Sequence, residues 1–174
     1  MKYLVKFFVV TFLLIVSTYA FAEQKIVVLD MKYVLNNSTA GKGAQDYLKK
    51  SISNNQKKFA ELEKDLKKEE NDLLTKKTVL SKEEYTKKTD ALRKKVIDFQ
   101  SQRRAAIDKI ATQRAEAREK LLKKVEPIVD TYIQENDISL VMDKQNMIGG
   151  KTEYDITELI IEKLNKELPS LNLK

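Results

Sequence analysis

The sequence has no cysteine, no histidine and no tryptophan, and only four glycines and two prolines in 174 residues. Without cysteine it forms no disulfide and offers neither a thiol nucleophile nor a thiolate metal site. Without histidine it lacks an imidazole base or ligand, which excludes a histidine-dependent triad. Carboxylates, lysines and tyrosines remain, but no constellation of them argues for catalysis. No enzymatic activity, metal or cofactor is therefore expected. The few helix breakers are informative by position. Gly41 and Gly43 come early, Pro127, Gly149, Gly150 and Pro169 come late, and the 83 residues from Ala44 to Glu126 hold none.

The chain opens with MKYLVKFFVVTFLLIVSTYAFA. Lys2 and Lys6 form a basic start, and Phe7 to Val16 is apolar apart from Thr11. That run is shorter than the roughly 20 residues a membrane span needs. Ala20 and Ala22 supply the small residues that a signal peptidase reads. Cleavage after Ala22 is expected. It leaves an exported, soluble chain, Glu23 to Lys174, of 152 residues and net side-chain charge +5. An exported protein that owes nothing to disulfides fits a bacterial periplasm.

The remainder reads as a body in two pieces, residues 23–43 and 127–174, separated by a helical excursion over 44–126. KIVVL at 25–29 is short, β-branched and apolar, the pattern of a buried strand. ISLVM at 138–142, closed by Asp143, is a second. Met147-Ile148 before Gly149-Gly150 is a candidate third strand. Asp155 and Glu158 then suggest a capping box for a C-terminal helix, whose buried side is Ile156, Leu159, Ile160, Ile161, Leu164 and Leu168. So little apolar material usually requires oligomerisation to complete a core.

The excursion is rich in Lys, Glu, Gln and Ala, all strong helix formers. Ile52, Phe59, Leu66, Leu73 and Leu80 repeat every seven residues in its first half, and Tyr85, Leu92, Phe99 and Ala106 in its second. Heptad recurrence marks a coiled coil. The step from Leu80 to Tyr85 fits neither half, and Ser81 with Glu84 forms a capping box at that break. A helical hairpin with its tip near 79–83 is the favoured form, each arm about 55–65 Å long at 1.5 Å per residue. One continuous helix of roughly 125 Å is the alternative. From Leu121 onward the apolar stripe widens, as for a helix re-entering the body, and Pro127 is expected to kink it there. The fold class is thus α+β, mostly α: a small β-body carrying a long antiparallel helical hairpin.

Charge divides the same way. Residues 49–124 hold 23 basic and 13 acidic side chains, and the rest of the exported chain holds 8 and 13. The arms are therefore at +10 and the body at −5. A solvated helix face explains abundant charge, while imbalance of this size also fits a partner of opposite sign. Nucleic acid is disfavoured as that partner by the export signal and by the absence of aromatics interleaved for base stacking. An acidic polypeptide or an anionic membrane surface fits better.

The order signal peptide, KIVVLD, long basic helical excursion, then NDISLVMDKQNMIGGKTEYDITELIIEKLN resembles the Skp/OmpH family of periplasmic chaperones. The most specific part is DISLVMD at Asp137–Asp143 followed by DIT at Asp155–Thr157. The resemblance implies a homotrimer built on the β-body, here Ile26, Val27, Val28, Leu29, Ile138, Leu140, Val141 and Met142. Three hairpins would then surround a cavity that holds unfolded outer-membrane proteins without nucleotide. On this sequence the basic walls would be Lys76, Lys77, Lys87, Lys88, Arg93, Lys94, Arg103 and Arg104. Leu74, Val79, Ile97 and Ile107 would touch apolar client segments or else pack within or between hairpins. Many weak contacts over three arms would supply affinity through avidity. The resemblance also raises lipopolysaccharide as a ligand, beside the anionic membrane lipid that the charge suggests, with no particular residues here to assign to it. The competing reading is a periplasmic structural or adaptor coiled coil that docks to another helical partner.

Overall fold

The structure is a computed structural model and describes residues 24–173; the expected signal segment, with Ala20 and Ala22, lies outside the described residues. The element order is β1 (Lys25–Leu29), α1 (Met31–Asn37), α2 (Thr39–Thr75), α3 (Lys82–Glu135), β2 (Ile138–Asp143), short 3-10 turns at Lys144–Asn146 and Thr152–Tyr154, and α4 (Thr157–Glu167). β1 and β2 pair in parallel, with Ile26 beside Leu140, Val27 beside Val141 and Val28 beside Met142. Parallel strands need a long crossover, and here the crossover is the entire hairpin.

The hairpin is antiparallel. Tyr47 lies opposite Gln113, Phe59 opposite Phe99 and Glu69 opposite Lys95, so residue numbers rise along one arm as they fall along the other. The register break is where the chain turns, at Lys76–Ser81. Ser81 accepts the Glu84 N–H, and the Glu84 carboxylate reaches back to the Ser81 N–H and hydroxyl, the expected capping box. At about 1.5 Å per residue, α2 is roughly 55 Å long and α3 roughly 80 Å. The extra length of α3 runs through Pro127 into the body.

That body supplies most of the buried apolar residues. Val34 of α1, Val125 of α3, and Ile160 and Leu164 of α4 are fully buried, joined by Val27 and Leu29 from the inner face of the sheet. Side chains alternate across a strand, so Ile26, Val28, Leu140 and Met142 share the opposite face. The α3–β2 corner turns at Asp137, whose φ of 55° is in the left-handed region that a short polar residue tolerates.

Three local expectations are corrected. Met147-Ile148 forms no strand: Asp143 accepts the Gln145 N–H and folds the next residues into a turn, and Ile148 stands in solvent. The second edge of β1 instead takes a single bridge from Val28 to Asp155, with the Ile156 N–H on the Val28 carbonyl at 2.9 Å. The Asp155–Glu158 capping box also does not form, because α4 begins one residue later with Ile156 at its N-cap. Asp155 accepts the Thr157 N–H at 3.0 Å and pairs with Lys144 at 2.6 Å. Finally, Gly41 and Gly43 lie inside α2 and do not precede it.

Candidate functional site

The arms are held together by a thin seam. On α3, Tyr85, Thr89, Leu92, Val96, Phe99, Ala106, Ile110, Gln113 and Ala117 recur at heptad spacing and turn toward α2; Phe99 packs edge-on against Phe59 with ring centroids 5.9 Å apart. Near the body the seam narrows to small residues, Ala40, Ala44 and Ala117, and is fully buried. Leu48 and Gln113 continue that buried stretch, and beyond them toward the tip only Phe59 is buried. A stripe this narrow leaves most of each helix in water.

The cations inferred from sequence occupy that wet surface. Lys76, Lys77, Lys87, Lys88, Lys94, Arg103 and Arg104 form no ion pair among the described residues, and Arg93 makes a 3.4 Å contact with Asp90 on its own helix. One ion pair crosses the hairpin, Lys95 to Glu69 at 2.6 Å. Glu63 and Glu119 pair with Lys67 and Lys123 one turn away, and those hydrogen bonds hold both carboxyls below the ordinary glutamate value. Four of the 13 arm carboxylates and four of the 23 arm cations are paired among the described residues, so the basic excess remains on the exposed surface. Leu74, Val79, Ile97 and Ile107, left open between packing and exposure, are all more than half exposed in this chain, Val79 at 83%. Between the arms lie shallow grooves. One of about 440 Å³ at mid-arm brings Arg103 and Ile107 together beside Phe59 and Phe99, and another of about 320 Å³ toward the tip gathers Lys76 and Lys88.

The body residues divide. Val27, Leu29 and Val141 pack on the chain's own core, and Val28 is buried, with the bridge to Asp155 on its strand edge. Ile26, Leu140 and Met142 remain 40%, 52% and 38% exposed on the outer face of the sheet. The outer edge of β2 is unpaired among the described residues.

Sequence reasoning missed a polar clasp across the body. Asp30 caps α1 through the Tyr33 N–H, and its own N–H donates to the Thr157 hydroxyl at 2.9 Å. Burial pushes the Asp155 carboxyl up, but hydrogen bonds from Lys144 and from the Thr157 hydroxyl and N–H outweigh it and hold the group below its ordinary value. The same bond raises Lys144. The signal was present in Asp30 followed by the apolar pair Val34-Leu35, the start of a short capped helix. Gln113 and Thr89 were missed as seam residues because they are polar.

No group of three or more acidic, histidine or cysteine side chains among the described residues could hold a metal, and no helix there is long and apolar enough to cross a membrane. The comparisons with known proteins agree with this architecture. Residues 25–164 match the family model described as outer membrane protein (OmpH-like). A Skp-like protein of Pseudomonas aeruginosa is 26% identical over 166 residues, covering 95% of this chain and 99% of its own. A crystal structure from Caulobacter crescentus, described as a candidate outer membrane chaperone (OmpH-like), superposes with a TM-score of 0.79 at 16% identity, covering 88% of this chain and 90% of that one. At that identity the likeness speaks for the fold.

Proposed function

We propose, for a chain that belongs to the OmpH-like outer membrane protein family and so to a family of chaperones, that it is an ATP-independent holdase of the periplasm. It would bind unfolded outer-membrane proteins and keep them from aggregating in transit. The observation that carries this reading is the surplus of unpaired cations on arms that stand clear of the body. Such arms attract acidic unfolded chains over distance, and the exposed Leu74, Val79, Ile97 and Ile107 give those chains isolated apolar footholds. No single contact is strong, so affinity depends on several arms acting together.

That requirement leads to the body. Ile26, Leu140 and Met142 form an apolar face beside the open edge of β2, and covering both with further copies would complete the small core. The working assembly is a homotrimer with three hairpins around one cavity. In light scattering the exported chain should have three times the monomer mass. Leu140→Asp should lower that mass while retaining the helical circular dichroism of the arms; a stable wild-type monomer would remove the cavity and the proposal with it. Diluted from urea into the trimer, an outer-membrane β-barrel protein should stay soluble without ATP, and its affinity should fall as salt rises. A well-folded trimer that fails to prevent aggregation would favour the adaptor reading.

A further inference from the structure

The mid-arm groove is a break in the packing of the hairpin. On its tip side Phe59 and Phe99 close the seam edge to face, and on its body side Ile52 and Ile110 approach it. Between these layers the seam positions hold Asn55, Ala106 and Arg103, which are polar, short and charged. They leave an open groove of about 440 Å³, near the small end of the range that suits bound ligands. That volume suits one large side chain better than a folded partner. Its walls are mainly apolar, and Ile107 stands at the lip 60% exposed. Glu63, the one carboxylate among the lining residues, is engaged by Lys67 at 3.0 Å and feels the Arg103 charge only at longer range, and Arg103 forms no ion pair among the described residues.

We infer that this groove docks one aromatic or large aliphatic side chain of an extended polypeptide, with a neighbouring carboxylate of that polypeptide on Arg103. The inference rests on the holdase reading for its occupant and gives that otherwise diffuse surface one defined subsite. Charge complementarity selects the occupant: the groove sits in an arm with a net charge of +10, and the Arg103 guanidinium at its rim has no ion pair among the described residues, only a longer-range attraction to Glu63. An apolar residue beside an acidic one satisfies both features at once.

The test fills the groove. Ala106→Leu adds apolar volume at a seam position, so the arm should melt at or above the wild-type temperature while affinity for a urea-unfolded outer-membrane barrel protein falls on the order of ten-fold, the scale of one buried side chain. Ala115→Leu, on an exposed position away from the groove, should bind as wild type does. Arg103→Gln should weaken binding and reduce its salt dependence. A blocked Phe-Asp dipeptide at millimolar concentration is the direct probe. It should shift the methyl resonances of Ala60, Ala106 and Ile107 in the wild-type trimer, and none of the remaining methyls when residue 106 is leucine. Should the leucine variant misfold, the dipeptide shifts in wild type alone decide. Absence of those shifts, or unchanged barrel-protein binding by a folded Ala106→Leu trimer, reduces the groove to a packing gap. Shifts that appear with protein concentration alone would assign it to another copy's arm and overturn the inference. Dipeptide binding without suppression of aggregation would uphold the groove and count against the holdase.

Discussion

Two glycines two residues apart should respond to alanine with opposite signs. Gly→Ala inside a helix ordinarily stabilises by about 1 kcal/mol. At Gly43 nothing lies within 4 Å of an added Cβ, so Gly43→Ala should gain most of that amount. At Gly41 the added Cβ would come 1.9 Å from the Leu35 carbonyl oxygen and 2.9 Å from the Ser38 hydroxyl. Neither can simply move away. The Leu35 carbonyl belongs to α1, and Ser38 is held between helices, its N–H on Val34 and its hydroxyl accepting the Gly41 N–H at 3.1 Å. Overpacking against backbone costs about 2 kcal/mol and loss of the serine cap about 1, against about 1 gained from helix propensity. Gly41→Ala should therefore be net destabilising by about 2 kcal/mol, a fall of roughly 4–8 °C in melting temperature for a chain of this size. Thermal unfolding followed by circular dichroism measures both variants, at one fixed protein concentration because an associating protein melts in a concentration-dependent way. A Gly41→Ala variant as stable as Gly43→Ala would refute the close approach of α1 to α2, and with it the packing that aims the arm.

The body clasp predicts a pH signature. Asp155 is depressed in the folded state, so its contribution is present above its unfolded pKa and is lost as pH falls through the folded value, below 3.8. Lys144 is raised, so its contribution holds up to its ordinary pKa and is lost only as pH climbs through a value above 10.5. In urea titrations the stability gap between wild type and Asp155→Asn should be flat through neutral pH and shrink below about pH 4; a gap independent of pH would show that the charge contributes nothing. At the tip, Ser81→Ala removes a cap worth about 1 kcal/mol. Because the tip lies far from the core, that loss should appear as faster hydrogen exchange in the first turn of α3 with little change in global melting. A drop in global melting temperature would mean that tip and body unfold as one unit.

The large features were legible because each rests on a repeated or paired signal. The hairpin was written twice, in heptads that change register at Leu80 and in the Ser81–Glu84 box that restarts the helix. β1 and β2 are runs with no competing local structure. Features that depended on a single local cue were misread. Gly41 looks like a helix breaker, yet it lies inside α2, at a place where an added side chain would strike the Leu35 carbonyl oxygen. Met147-Ile148 has strand-like residues, but the Asp143 side chain captures the Gln145 N–H first, and the free edge of β1 goes to Asp155. On the arms, the charges were legible but their pairing was not. Whether Lys95 meets Glu69 while Lys94 meets nothing depends on where the opposite helix falls, which the heptads give only to within a turn.

On the proposed holdase function, solubility and binding would make opposite demands on these arms, and the arrangement of side chains would reconcile them. A continuous exposed apolar stripe would bind unfolded chains well but would also bind its own copies. Here the exposed aliphatic residues lie near cations in sequence, Leu74 and Val79 near Lys76, Lys77 and Lys82, Ile97 near Lys94 and Lys95, and Ile107 near Arg103, Arg104 and Lys109, and these outnumber the adjacent Asp72, Asp98 and Asp108. Two such arms repel each other before their apolar residues can meet. Under the proposed holdase function, an acidic unfolded chain would meet no such barrier: the same charges would draw it in toward the apolar footholds. Salt should therefore act in two directions at once, weakening capture of acidic clients while relaxing the repulsion that keeps arms apart. On that function, discrimination between client and self would be greatest at low ionic strength. It resides in the spacing of charge around each apolar residue more than in any one residue.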